Sequence, residues 1–232
     1  MELQFYGAAL AIILIDLVLS GDNAVVIGMA AHRLPPRQRK FAIVFGAGAA
    51  IVLRIILTIF ATWLLTFPWL QLIGGVLLFW IGFKLLKEEE EAHEGTGGSE
   101  GLFEAMSTIV IADVVMSVDN ILGVAGAAAG DFGLLIFGLA LSMLIMLVGG
   151  SLIARMIDKF WWLVYLGSAV IIWTGAHLVF KDPFVKQWFG EHNPWEVVIS
   201  AVITAVLMAA AHYFHRHRPK MRRLRQQQAP ID

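Results

Sequence analysis

The sequence predicts an all-α polytopic membrane protein, with seven transmembrane helices arranged as two inverted three-helix repeats plus one extra C-terminal helix. Three observations lead there. Of the 232 residues, 59% are hydrophobic and only 15% charged, whereas an ordinary soluble domain carries about a quarter charged residues. The charges are bunched near 33–40, 84–104, 154–159, 181–196 and 216–225. The apolar runs between them reach about twenty residues or more, enough to cross a hydrocarbon core of about 30 Å as helices. Finally, DLVLSGDNAVV from Asp16 and DVVMSVDNILG from Asp113 place the same acidic pattern inside two of those runs.

The helices are expected over residues 5–31, 40–65, 68–87, 102–128, 132–154, 161–180 and 195–214. The first is closed by Pro35-Pro36 and the second by Phe67-Pro68. Proline disfavours helical geometry in the residue before it. The third gives way to EEEEAHEGTGGSEG, residues 88–101, a polar, glycine-bearing linker. Gly130-Asp131 ends the fourth helix, and the basic stretch Arg155–Lys159 follows the fifth. The sixth stops at Asp182-Pro183, and the seventh starts after Asn193-Pro194. This divides the chain into a first repeat (1–87), an acidic linker (88–101), a second repeat (102–180), a loop with the seventh helix (181–214) and a basic tail (215–232). The N-terminus has no basic n-region, and its apolar run is too long for a cleavable signal. No cysteine is present, which excludes disulfides, thiolate metal sites and cysteine nucleophiles.

Orientation follows from the basic residues. One side holds Arg33, Arg37, Arg39, Lys40, Lys84, Lys87, Arg155, Lys159 and six cations of the tail, while the other holds only Lys181 and Lys186. The expected topology is N-terminus outside and C-terminus in the cytoplasm, the tail anchoring on an anionic leaflet.

The repeat is legible in two registers. Asp16, Ser20, Asp22 and Asn23 match Asp113, Ser117, Asp119 and Asn120 at an offset of 97. FPWLQLIGGVLLFWIGF from Phe67 matches FWWLVYLGSAVIIWTGA from Phe160 at an offset of 93, pairing Gly74 with Gly167, Trp80 with Trp173 and Gly82 with Gly175. Three helices per unit is an odd number, so the second unit enters the membrane from the opposite side. Transporters often use this plan, with the substrate site at the repeat interface.

Asp16 and Asp113 fall near the middle of their helices, and Asp22 and Asp119 about 9 Å further along by helical rise. Residues 16, 20 and 23 share one helical stripe. Asp22 lies off that stripe, so either it faces another helix or the turn at Ser20-Gly21-Asp22 unwinds and swings it inward. Val118 stands where the first copy has Gly21, which argues against an identical break in the second. One ionisable group at mid-membrane costs about 2.5–3.5 kcal/mol, so four cost about 10–14 kcal/mol uncompensated. Arg54, the one basic residue deep in a span, neutralises a single carboxylate. The rest calls for a cation. Carboxylate, amide and hydroxyl oxygens, with Ser20 and Ser117 supporting, suit hard divalent ions and disfavour zinc and copper. Clustered carboxylates also make exchange of metal for protons chemically natural.

With these residues in hand, the chain resembles the TerC family of integral membrane proteins, within the LysE-type transporter grouping. The resemblance rests on the DxxxSGDN run at 16–23, its DxxxSxDN partner at 113–120, the basic loop after the first helix, and the paired W-x-x-x-x-G motifs near Trp69 and Trp162. It covers residues 1–214 and points to the short, stand-alone bacterial members, hence to the bacterial cytoplasmic (inner) membrane. It implies a secondary transporter exporting divalent cations, chiefly Mn²⁺, and no resident cofactor. It implies metal residues at Asp16, Asp22, Asn23, Asp113, Asp119 and Asn120, with Ser20, Ser117 and Arg54 supporting. Ca²⁺ or another divalent cation is the alternative cargo. A role in delivering metal to exported proteins is another reading, with a homodimer or the protein-export machinery as conceivable partners. An enzyme is not expected. An intramembrane aspartyl protease needs one carboxylate dyad, whereas this chain duplicates an Asp-Asp-Asn set.

Each feature also has a plainer reading. The buried polar residues could be interhelical glue, and Arg54 could be a fixed ion pair with Asp22 or Asp119. Met116 reads as packing, and His177 as interfacial. His212, His215 and His217 read as part of a solvated basic stretch. Glu88–Glu91 with His93 and Glu94 read as a solvated hinge rather than an ion collector. The tryptophans at 63, 69, 161, 162, 188 and 195 look like interfacial belts. Small residues at 46–50, 123–130 and 149–150 suggest close helix packing.

Overall fold

A computed structural model describes the backbone of residues 2–60, 67, 69–93, 101–128, 132–190 and 195–227, and the side chains of 10, 12–60, 67, 69–89, 101–118, 120, 133–190 and 195–213. The described residues are all helical or in turns. The helices are α1 (Glu2–Leu19), α2 (Gly21–Ala31), α3 (Pro36–Ile59), α4 (Leu70–His93), α5 (Leu102–Ala128), α6 (Phe132–Lys159), α7 (Leu163–Lys181), α8 (Pro183–Phe189) and α9 (Glu196–Gln227). Five of them, α3, α4, α6, α7 and α9, are long and apolar enough to cross a membrane by composition among the described residues, or six if α1 and α2 form one bent span.

The first expected helix is two. It breaks at Ser20, and its halves meet at 55°. The Ser20 backbone (φ −120°, ψ 16°) leaves helical geometry, and Asn23 N–H donates to Ser20 O at 3.0 Å, a tightened turn. Gly21 follows, with open space where a Cβ would sit. α5 carries Val118 at the matching place and runs unbroken from Leu102 to Ala128. Glycine inside a helix costs about 0.5–1 kcal/mol relative to alanine because of its backbone freedom, so the first copy tolerates a break at this place more readily.

Pro36 starts α3 at its first turn, where a missing N–H costs nothing. Asp182 ends α7 and caps α8: its Oδ1 accepts from Phe184 N–H at 2.9 Å, and its Oδ2 accepts from Leu72 N–H at 3.1 Å. One buried carboxylate therefore ties the end of α7 to the start of α4. α4 continues past the expected limit of 87 to His93, and α9 continues past 214 to Gln227. The breaks expected at Pro68, Gly130-Asp131 and Asn193-Pro194 lie outside the described residues.

α4 and α7 form the most extensive pair, and α3 with α5 and α2 with α6 come next. Small residues set these approaches. A Cβ on Gly75 would lie 2.5 Å from Gly175 O, and one on Gly82 would lie 3.3 Å from Ser168 O. Likewise a Cβ on Gly46 would meet Ile109 at 3.3 Å, and one on Gly138 would meet Ile12 at 2.5 Å. Packing this close supplies van der Waals contact where lipid removes the hydrophobic drive between helices. α9 is peripheral, touching α7 and α4. Only 11% of its apolar stretch is buried, against 33–44% for the other four.

Trp69, Trp161, Trp162, Trp188 and Trp195 are exposed near helix ends, as a belt requires, while Trp63 lies outside the described residues. The ends of α2, α4 and α6 and the starts of α3 and α5 gather at one basic end of the molecule. Arg39 pairs with Asp158, Lys84 with Glu104, and Arg33 with Glu88 and Glu89.

Candidate ion site at the helix break

The break in the first helix places a buried polar cluster between α1, α2, α3, α5 and α6. Asp16 comes from the last turn of α1, Ser20 from the break, and Asn23 from the first turn of α2. Asp113, Ser117 and Asn120 project from α5. All six are buried, Asp16 and Ser20 completely. Residues from two stretches 97 positions apart thus meet inside an apolar molecule.

Arg54 of α3 sits at the centre, 3% exposed. Its Nη1 donates to Asp16 Oδ1 and Oδ2 at 2.8 and 3.1 Å, and its Nη2 donates to Asp113 Oδ1 at 2.8 Å. Its Nε donates to Ser117 Oγ at 2.8 Å. The planar fork of donors is what lets one side chain hold two carboxylates in fixed geometry. Arg54 was expected to support the site, with a fixed ion pair to Asp22 or Asp119 as the plainer reading. The guanidinium instead bridges Asp16 of α1 and Asp113 of α5.

The amides complete the junction. Asn23 Nδ2 donates to Asp113 Oδ1 at 2.8 Å, and Asn120 Nδ2 donates to Ser20 Oγ at 3.0 Å and Leu19 O at 3.1 Å. Ser142 of α6 donates to Asp16 Oδ2 at 2.5 Å. Sequence reasoning missed Ser142. It is the only side chain capable of hydrogen bonding between Phe132 and Gly150, and that isolation was the signal.

Asp22 does not join the cluster. The unwound turn directs it toward α7, where its Oδ2 accepts from Thr174 Oγ1 at 3.0 Å. The turn unwinds, as one alternative required, but Asp22 is not swung inward: it faces another helix. The side chain of Asp119 lies outside the described residues. Two acceptor oxygens, Asp22 Oδ1 and Asn23 Oδ1, are buried with no hydrogen-bond partner. Asp113 Oδ2 is nearly so. Its contact with Ser117 Oγ is 3.4 Å, while that hydroxyl also reaches Asp113 O at 2.5 Å. A buried acceptor without a donor is costly, and two such oxygens, with a third weakly held, flank one helix break.

Among the described residues, no three His, Cys, Asp or Glu side chains are grouped as a ready metal cage. Two carboxylates, Asp16 and Asp113, share the single guanidinium of Arg54. That imbalance, the orphaned oxygens and the all-oxygen donor set suit a hard cation. The half-helix α2 also turns its N-terminus, the positive end of its dipole, toward this junction.

A second polar cluster, at the basic end, was not anticipated. His32 Nδ1 lies 2.7 Å from Met29 O, and its Nε2 lies 2.8 Å from Glu89 Oε2. Arg33 donates to the same Glu89 oxygen from Nε at 3.2 Å and Nη2 at 3.1 Å. Both ring nitrogens of His32 therefore face oxygens. Glu88 and Glu89 are thus engaged with the end of α2 rather than solvated, which corrects the hinge reading for these two residues. His177 is half exposed, and its Nδ1 lies 2.7 Å from Glu196 Oε1.

The signature described as "Integral membrane protein TerC family" matches residues 1–219. The chain is 37% identical over 216 residues to "Uncharacterized membrane protein YjbE" of Bacillus subtilis (strain 168), covering 93% of this chain and 99% of that one. It is 26% identical to "Uncharacterized membrane protein YceF" of the same organism, over 92% of this chain and 84% of that one. It is 24% identical to "UPF0053 inner membrane protein YoaE" of Escherichia coli (strain K12), over 90% of this chain but 42% of that longer protein. No solved structure matches. The chain is a multi-pass integral membrane protein and belongs to the TerC family.

Proposed function

We propose that this chain is a secondary transporter that exports divalent metal cations, Mn²⁺ foremost, through the buried junction of the two acidic motifs, with protons as the exchange partner. Membership of the TerC family supports metal-ion transport as the class of activity. The observation that carries the reading is the cluster of unsatisfied buried oxygens, Asp22 Oδ1 and Asn23 Oδ1 together with the weakly held Asp113 Oδ2, beside two carboxylates that share one guanidinium. In this reading Arg54 is a tethered stand-in for the cargo. It holds the carboxylates neutralised while the site is free of ions, and an arriving dication takes over Asp16 and Asp113 as the guanidinium withdraws. Such an exchange lets the site empty without leaving bare charge in the membrane, which would be costly. A proton on a carboxylate serves the same end on the return leg.

The proposal includes seven spans in two inverted repeats, the N-terminus outside and the C-terminus in the cytoplasm. Swapped contacts support the repeat. Ile109 and Ile12 differ by the motif offset of 97, and their glycine partners, Gly46 on α3 and Gly138 on α6, differ by 92. The contact between Gly75 and Gly175 likewise exchanges into that between Ser168 and Gly82 at the offset of 93. The break between α1 and α2, with none in α5, makes the two halves unequal at the site, and the bend at Ser20 is then the natural hinge of alternating access. No resident cofactor and no covalent chemistry are proposed. Ca²⁺ shares the preference for oxygen ligands and stands as the competing cargo.

The test is flux into proteoliposomes, comparing Mn²⁺, Ca²⁺, Mg²⁺ and Zn²⁺ with and without a pH gradient. The expected result is Mn²⁺ movement stimulated by the gradient and lost in Asp16→Asn and Asp113→Asn. An absence of flux for every cation, in protein that is folded and correctly inserted, would overturn the proposal.

A further inference from the structure

A cleft of ≈ 550 Å³ opens between α3 and α6 at the basic end, apart from the ion site. Its two walls run in opposite chain directions and have the same order of chemistry. On α3, Arg39 and Lys40 stand at the rim, and Ile43 and Val44 lie one turn deeper; on α6, Arg155 is at the rim, with Leu147 and Val148 two turns deeper. Eight residues of helix, from Pro36 to Val44 or from Arg155 to Leu147, span about 12 Å. The gradient from cationic to aliphatic is therefore about as deep as a phospholipid headgroup and its first methylenes.

The rim charges are not all committed. Arg39 is held by Asp158, donating from Nη1 to Oδ2 at 2.5 Å and from Nη2 to Oδ1 at 3.1 Å. It also donates to His32 O. Lys40 and Arg155 are exposed and have no carboxylate partner among the described residues. Arg155 Nε donates only to Ser151 O of its own helix, at 3.2 Å. Among the described residues, no acidic side chain lines the cleft. Farther in, Val44 is 46% and Val148 68% exposed on the lipid-facing surface.

We infer that this cleft binds an anionic glycerophospholipid, its phosphate held by Lys40 and Arg155 and an acyl chain lying along Val44 and Val148. Charge complementarity selects this occupant. Two uncommitted cations at headgroup depth, above an aliphatic trough, are a known plan for lipid recognition between membrane helices. A zwitterionic lipid would bring its own cation to the same rim. A second copy of the chain, docked face to face, would set Lys40 and Arg155 against their equivalents. The lipid would also bridge α3, which carries Arg54, to α6, which carries Ser142. The inference stands independently of the transport reading, because it rests on different residues and its test measures no ion.

The full chain, stripped of lipid in a neutral detergent, is titrated with phosphatidylglycerol or phosphatidylcholine and bound lipid is counted by native mass spectrometry. The parent is expected to retain phosphatidylglycerol in preference to phosphatidylcholine. Lys40→Gln with Arg155→Gln should weaken phosphatidylglycerol retention by roughly thirty-fold, from the contribution of two basic residues. Val44→Trp, which fills the trough and leaves both cations, should abolish the preference as well. Tryptophan-fluorescence melting confirms that each variant is folded before it is scored. Equal retention of the two lipids by the parent would overturn the proposal. So would undiminished phosphatidylglycerol binding by either variant, or a disulfide-linked dimer formed readily through Val44→Cys.

Discussion

Replacing Arg54 with Gln tests the charge balance at the site most directly. The guanidinium is 3% exposed and reaches Asp16, Asp113 and Ser117 at 2.8 Å each. Glutamine is shorter, uncharged and offers two N–H donors. Removing one partner from a buried ion pair costs about 3–5 kcal/mol, because the remaining charge is left uncompensated. In a chain of this size each kcal/mol moves the melting temperature by about 2–4 °C, so a fall of about 6–20 °C is expected. Mn²⁺ should offset much of it. A ligand at a hundred times its Kd contributes about 2.7 kcal/mol, and the variant site has no tethered cation to compete. The assay is thermal unfolding in nanodiscs, followed by the fluorescence of the eight tryptophans, with chelator or with Mn²⁺. Arg54→Gln combined with Asp113→Asn restores the net charge of the trio and should recover a large part of the loss. The reasoning fails if Arg54→Gln melts where the parent does in chelator, or if Mn²⁺ stabilises parent and variant equally.

Other predictions follow from contacts elsewhere. Gly138→Leu should cost about 1–3 kcal/mol and more than Gly46→Leu in the same melting assay, because a Cβ there lies 2.5 Å from Ile12 rather than 3.3 Å from the flexible Cδ1 of Ile109. Asp182→Ala should destabilise by about 1–2 kcal/mol as a lost cap, and hydrogen exchange should quicken at the Leu72 and Phe184 amides that the carboxylate accepts from. His32→Ala should cost about 1–3 kcal/mol by removing a buried hydrogen bond to a charged group, Arg33 remaining as Glu89's other partner, and a double-mutant cycle with Glu89→Gln should report the coupling; additive effects would dissolve the pair.

Much of the architecture is legible in one dimension. Pro36 and Asp182-Pro183 act on their own neighbours, so the breaks they make can be read locally, as can apolar runs the length of a bilayer. The acidic pattern at Asp16 and Asp113 is equally local, and its cost in lipid makes it conspicuous. The Gly21-for-Val118 difference was also visible, and it is where one helix breaks and the other does not. The helix ends were less so. α4 runs on to His93 because Glu88 and Glu89 find partners on Arg33 and His32, and nothing near residue 88 announces them.

By itself, then, the sequence determined that this chain lives in a bilayer, that helices are interrupted at Pro36 and Asp182-Pro183, and which residues are too costly to be there without a purpose. Tertiary structure alone decided that Arg54 bridges Asp16 and Asp113, that Ser142 joins them, and that Asp22 turns away to Thr174. The physical reason is the solvent. A helix in water advertises its buried face by an apolar stripe, but a helix in lipid is apolar on every side. The direction in which a side chain points is then set by close packing at positions such as Gly46, Gly75 and Gly138, between residues far apart in the chain.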